Sequence, residues 1–202
     1  MTVVFDVGSV LIHAYTTWDA VLAASGLRHS DYPSNWVKLY DFPSYEPYEK
    51  GEMSIEQYIA DLAEGFGLDS HESAHHLHRS IIGNELEGVP QLLADVKAAG
   101  HFTATLSNNN PLHWAHITNA DHFPGIGLID AKVASYQLGY VKPQLEIFTA
   151  FSVYTGTQGF DTIFFDDAYK NIEAANEAGW KAVHIESEAT SVATIRAALN
   201  LD

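Results

Sequence analysis

TIFFDDAYKNIEAANEAGWKAVHI (162–185) reads as one complete structural unit. Thr162, Ile163, Phe164 and Phe165 form an apolar strand that ends on two adjacent acids, Asp166 and Asp167. A helix follows from Tyr169 to Ala178, stopped by Gly179, and a second strand runs from Lys181 to Ile185. An apolar run without polar alternation is the mark of a strand buried on both faces. Strand, helix and strand at this spacing imply parallel neighbours covered by helices.

The same alternation extends outward. Upstream, Pro90–Ala99 reads as a helix with proline in its first turn and Gly100 at its stop. Phe102–Leu106 is a short strand, Leu112 to about Ala120 a helix, Ala131–Ser135 a strand and Gln144–Tyr154 a helix; Ser191–Leu199 is a helix downstream. At the start of the chain, Val3–Ile12 reads as a buried strand interrupted by Asp6 and Gly8. Between these parts the character changes. Trp18, Val21 and Leu22 begin a helix that stops near Gly26, and Ile55, Tyr58, Ile59, Leu62 and Phe66 repeat at helical spacing behind Ser54, a suitable N-cap. Ser70–Ile82 is expected to be a further helix ended by Gly83, and no convincing strand is found in this stretch. The expectation is an α/β fold: a Rossmann-like, three-layer parallel-sheet core at 1–13 and 88–202, with a helical insertion at 14–87.

The 202 residues hold 26 acids against 10 lysines and arginines, a net charge of −16, and 47% of them are hydrophobic. The apolar share is enough for a packed core. The charge argues against nucleic acid and anionic membranes as partners, because both reward lysine and arginine. With no cysteine, disulfides, thiolate metal sites and a cysteine nucleophile are excluded. MTVVFDVGSVLI (1–12) lacks a basic start and carries Asp6 within its apolar run, a poor export signal, and no stretch approaches a membrane span. A cytoplasmic protein, monomeric or homodimeric, is the expectation.

In parallel sheets the ligand sits beyond the carboxyl ends of the strands. The strand ends here deliver Asp6, then Ser107 with Asn108 and Asn109, then Lys142, then Asp166 and Asp167. On one sheet edge these residues share one crevice and suit phosphoryl transfer to a carboxylate. A carboxylate that attacks phosphorus divides a hard hydrolysis into two easier steps. Two anions must meet, so a divalent cation is needed between them, and Asp6 with Asp167 can hold magnesium. Ser107, the Asn108 amide and Lys142 can hold the phosphoryl oxygens. The Gly8-Ser9 turn lets backbone N–H groups approach the phosphate. Taken singly, each has a plainer reading as a turn, a cap or a surface residue; their order and strand context favour the shared crevice.

VVFDVGSVLI (3–12), TATLSNNN (103–110), YVKPQLEIF (140–148) and FFDDAYKNIEAANEAG (164–179) resemble, in order, the four motifs of the haloacid dehalogenase-like hydrolase superfamily. The insertion 14–87 falls where that family carries its helical type C1 cap, and YEKGEMSIEQY (48–58) is similar to the cap of α-D-glucose-1-phosphate phosphatase-like members. The resemblance implies Asp6 as nucleophile and magnesium ligand, the Gly8 carbonyl and Asp167 as further ligands, and Asp166 in support. Ser107, Asn108 and Lys142 would hold the phosphoryl group, and Asn171 stands where some relatives have another acid. It implies a magnesium-dependent phosphatase of small phosphorylated metabolites such as sugar phosphates. The alternatives are a metal-independent 2-haloacid dehalogenase and a catalytically weak phosphate-binding protein; the Asp166-Asp167 pair, which would repel a halocarboxylate, speaks against the dehalogenase.

One departure matters. Many family phosphatases carry a second aspartate, a general acid and base, two residues after the nucleophile; here that position is Gly8, as in the glucose-1-phosphatase-like members. His13 is a candidate substitute, though a histidine at the cap hinge is the plainer reading. Tyr45, Tyr48, Glu49 and Lys50 are expected in a loop facing the site, with Tyr48 and Lys50 as substrate contacts. His71, His75 and His78 share a helix face and are read as solvated rather than zinc-binding, and His113 and His116 are read the same way. The four tryptophans are read as core or interface residues.

Overall fold

A computed structural model describes residues 1–30 and 32–201. Its strands are β1 (Thr2–Phe5), β2 (Ile12–Ala14), β3 (Ile82–Glu85), β4 (Phe102–Ser107), β5 (Ala131–Ala134), β6 (Thr162–Asp166) and β7 (Lys181–His184). Its helices are α1 (Trp18–Ser25), α2 (Tyr45–Glu49), α3 (Ile55–Gly65), α4 (His71–Arg79), α5 (Val89–Ala98), α6 (Pro111–Ile117), α7 (Pro124–Gly127), α8 (Ser135–Leu138), α9 (Leu145–Thr155), α10 (Tyr169–Glu177) and α11 (Glu188–Leu199). Among the described residues one sheet has five strands in the order β5-β4-β1-β6-β7, each pair parallel.

The period of two along β1 divides the core. Val3 and Phe5 pack on one face with Leu92, Leu93 and Val96 of α5 and Ile195 of α11. Val4 packs on the other with Ile147, Phe148 and Phe151 of α9 and Ala175 of α10. Helices on both faces of a parallel sheet make the three-layer α/β arrangement expected from the alternation. A third apolar cluster, built on Trp18, Phe42, Tyr58, Leu62, Phe66 and Leu77, lies among the helices between β2 and β3.

Four readings of the sequence are corrected. Val3–Ile12 is not one strand: β1 stops at Phe5 and the chain turns, with Ser9 in the left-handed region at φ 57° and the Leu11 and Ile12 amides donating to the Val7 carbonyl. The stretch held to lack strands contains β3, which pairs antiparallel with β2 and joins the two ends of the insertion. Gly83 therefore stops no helix. It lies in β3, where a Cβ would come within 2.7 Å of the His13 ring. Tyr45–Glu49 is a short helix, not a loop; Pro47 stands in its first turn, where its missing N–H leaves no hydrogen bond unmade.

Phe164 is fully buried against the rings of Phe148 and Trp180. Phe164→Ala should lower the unfolding free energy in urea by about 3–5 kcal/mol. A loss below about 1 kcal/mol would show that this ring does not carry the packing assigned to it.

Candidate active site

The register of β1 creates the site. Phe5 stands opposite Thr105 on β4 and Phe165 on β6, so the next residue, Asp6, is level with Asp166. The Asp6 amide donates to the Phe165 carbonyl at 2.8 Å, which holds the two strand ends together as they leave the sheet. The chain passes from β1 to one side and later returns to the other, so this is the point where a parallel sheet opens a crevice. Carboxylate oxygens of Asp6, Asp166 and Asp167 lie within 4.8 Å of one another.

One cation answers them. The Lys142 ammonium is 2.6 Å from Asp166 Oδ2 and 3.0 Å from Asp6 Oδ1, and its side chain is 1% exposed. Burial would lower its pKa, but the charges of Asp166 and Asp6 outweigh burial and raise it. Asp166 is fixed further by the Ala168 amide at 2.8 Å and the Asn171 side-chain amide at 2.9 Å. Asp6 takes the Val7 amide at 2.7 Å. Three carboxylates against one ammonium leave an excess of negative charge in a crevice. Burial pushes the Asp6 carboxyl up to about 7, with Lys142 pulling it down and Asp166 and Asp167 pushing it further up. Burial and Asp166 also raise Asp167. Asn171 Oδ1 is buried with no hydrogen-bond partner among the described residues. An all-oxygen donor set with excess negative charge and an unanswered carbonyl suits a hard divalent cation.

Asp6 and Asp167 open on a cavity of about 200 Å³ whose wall includes Gly8, Ser9, Ser107, Asn108, Lys142 and Asn171, with Asp166 buried behind them. The structure thus brings the strand-end residues expected from the sequence to one place. It changes how two of them are used. The Ser9 amide donates to the Ile12 carbonyl at 2.8 Å and so closes the turn. The Asn108 side chain braces the lysine: its Oδ1 accepts from the Lys142 amide at 2.8 Å and its Nδ2 donates to the Lys142 carbonyl at 3.0 Å.

The far wall comes from the insertion and departs from expectation. Tyr48 is fully buried, stacked on Tyr58 at 4.2 Å between ring centroids, and lies outside the cavity wall. Lys50 also lies outside it, paired with Glu46 at 2.7 Å. Of that stretch the wall contains Tyr45 and Glu49, together with Leu39, Tyr40 and Lys170 from α10. Glu49 is 3% exposed and accepts a hydrogen bond from the Tyr40 hydroxyl. Burial pushes its carboxyl up to about 8, against the Tyr40 hydrogen bond that lowers it. Its signal was present in the sequence: Tyr45, Tyr48 and Glu49 share one helix face, which puts an acid on an apolar stripe.

Two contacts seat the insertion on the core. The Ser135 hydroxyl donates to the Glu49 carbonyl at 2.6 Å and accepts from the Asn109 amide at 2.9 Å. Gly51, at φ 73°, sits so close to the Tyr136 carbonyl that a Cβ would meet it at 2.7 Å. His13 does not reach the cavity; its Nδ1 is 2.8 Å from Glu188. His78 is not solvated. It is fully buried, stacked on His113 at 3.7 Å, and hydrogen-bonded to Tyr58 and Asn110.

A family model described as haloacid dehalogenase-like hydrolase matches residues 1–179. A D-ribitol-5-phosphate phosphatase of Bacteroides thetaiotaomicron is 26% identical over 193 residues, 93% of this chain and 92% of that protein. A HAD family enzyme of the same organism, solved as an aspartate-to-alanine mutant with magnesium and inorganic phosphate, superposes with a TM-score of 0.75 at 20% identity, covering 92% of this chain and 94% of its own. A HAD-like family hydrolase of Porphyromonas gingivalis gives a TM-score of 0.72 at 19% identity, covering 91% and 89%. These two likenesses concern the fold.

The histidine stack yields a test of the seat. Burial holds His113 down at about 4, from an ordinary value of 6.5, and burial with His113 holds His78 well below its own. The unfolded chain therefore binds more protons between those values, and stability falls as pH drops from 6.5 toward 4. Urea unfolding at neutral pH and near the acid end should show His113→Gln losing less stability than wild type, by on the order of 2 kcal/mol. Equal losses would show that the stack does not titrate as its burial requires.

Proposed function

The chain belongs to the haloacid dehalogenase-like hydrolases, and from that premise we propose that it is a magnesium-dependent phosphatase of small phosphorylated metabolites. The observation that carries this reading is the triad of carboxylates within 4.8 Å, answered by one buried ammonium. A halocarboxylate entering such a crevice without a bound metal would meet more carboxylates than the Lys142 ammonium, already paired with Asp6 and Asp166, can offset. Asp6, Asp167 and the Gly8 carbonyl would hold the metal, with Asp166 and Asn171 behind them. The bound cation would neutralise the phosphoryl oxygens so that a carboxylate can approach phosphorus.

The residues of the chain then divide the work. Asp6 attacks phosphorus and carries the phosphoryl group as an aspartyl-phosphate, which water hydrolyses. Lys142, held by Asn108 and aimed at Asp6, compensates charge on the transferring group beside Ser107. The insertion, residues 14–87, serves as a cap that covers the leaving group and excludes water. Polyol and sugar phosphates are the proposed substrate class. The relative described as a D-ribitol-5-phosphate phosphatase supports this over most of both chains. The polar wall of Tyr40, Tyr45, Glu49 and Lys170 offers hydroxyls, a carboxyl and a cation to a polyhydroxylated leaving group.

A panel of polyol, sugar and aryl phosphates assayed with magnesium and with chelator tests the reading. Phosphate release should require the metal and fall by at least about 10⁴-fold in Asp6→Asn, with the far-UV dichroism unchanged. Release that persists in that variant removes Asp6 as nucleophile; halide release from a 2-haloacid in chelator would favour a dehalogenase instead.

A further inference from the structure

We propose that Glu49, a side chain of the insertion, is the general acid and base that the glycine at position 8 leaves missing. This rests on the phosphatase reading and names a residue for its proton transfers.

Three observations carry it. Of the acids among the described residues lining the cavity, Asp6 and Asp167 belong to the carboxylate triad, and Glu49 is the third and stands on the opposite wall. It is 3% exposed, and among the described residues no lysine, arginine or histidine forms an ion pair with it; its side chain accepts from the Tyr40 phenol. A buried carboxyl without a cation keeps its proton. Its backbone is also fixed, because the Glu49 carbonyl takes the Ser135 hydroxyl and the following turn rests on Tyr136. The position of the acid is therefore set by the core and not by a mobile chain.

The rival groups are engaged elsewhere. His113 lines the cavity, but its Nε2 donates to the His78 carbonyl at 2.8 Å and its Nδ1 accepts from Asn110 at 3.2 Å. His13 is held by Glu188 away from the cavity.

The steps balance. An Asp6 oxygen bonds to phosphorus, the bond from phosphorus to the alcohol oxygen breaks, and the Glu49 proton passes to that oxygen. The resulting Glu49 carboxylate then takes a proton from water as the water oxygen bonds to phosphorus. The bond between Asp6 and phosphorus breaks, inorganic phosphate leaves, and both carboxyls are restored. Charged and titratable groups facing Glu49 are Asp6, Lys142, Glu46, Tyr40, Tyr45 and Tyr58.

Glu49→Gln keeps the shape and removes the proton. With magnesium, its kcat/KM should fall about 10²–10⁴-fold on the polyol phosphate that wild type hydrolyses best. On p-nitrophenyl phosphate, whose leaving group needs no proton, it should release one equivalent of nitrophenol in a burst and then stall at the phosphoenzyme. Tyr40→Phe, which removes a hydrogen bond from the carboxylate, should move the basic limb of the kcat/KM profile to higher pH. Wild-type rates on the polyol phosphate in Glu49→Gln, a lost burst with intact fold, or an unmoved basic limb in Tyr40→Phe would each overturn the assignment. Absence of metal-dependent release in wild type would instead overturn the phosphatase reading itself.

Discussion

Three carboxylates cluster at the end of β1 with two of them paired to one buried ammonium, and the organisation of the molecule follows from making that arrangement tolerable. Removing charges from water is expensive unless geometry and hydrogen bonds compensate. Lys142 is held by Asp6 and Asp166, and Asp166 has the Ala168 amide and Asn171 in addition. Asn108, one residue past β4, clasps the backbone of Lys142 from both its amide and its carbonyl. Residues from four parts of the chain thus hold one another in place. The remaining negative charge is what makes the crevice receptive to a cation and, behind that cation, to an anion that Asp6 could not otherwise approach.

The same edge of the sheet anchors the insertion. Ser135 follows β5 directly, so its hydroxyl is placed by the sheet, and it reaches both Asn109 and Glu49. The His78–His113 stack forms a second point of attachment, with Asn110 shared between the two rings. Asn110 also caps α6, accepting from the His113 amide. The run Ser107-Asn108-Asn109-Asn110 therefore does four separate tasks in four consecutive positions. It lines the cavity, braces the lysine, meets Ser135 and seats the insertion.

Most of the core was legible because its signals are local. Short apolar strands, a proline at a helix start and glycines at helix ends each act over a few residues, so Phe102–Ser107 and Tyr169–Glu177 could be placed closely. The strand-end acids were legible because a charge after an apolar strand demands a reason. What escaped depends on distant partners. Ile82–Glu85 has no strand pattern of its own and is ordered by pairing with β2. Gly83 looks like a helix stop, and only the His13 ring beside it shows why glycine is required. Tyr48 and Lys50 looked like substrate contacts as an aromatic and a cation in a stretch expected to face the site, yet one packs on Tyr58 and the other pairs with Glu46. Glu49, between them and in the same stretch expected to face the site, is the residue that lines the cavity.

The place of Glu49 has a chemical logic. An aspartate at position 8 would place a fourth carboxyl beside a cluster that already exceeds its cation, and its proton affinity would be governed by the same crowding that raises Asp6 and Asp167. Glu49 stands across the cavity, and burial is the leading cause of its retained proton. Burial of this kind exists only while α2 is seated against Ser135 and the turn at Gly51 rests on Tyr136. With the acid on the insertion, protonation of the leaving group is tied to the enclosure of the substrate. A crevice open to water would ionise Glu49, and a closed one restores the proton just where water has been excluded.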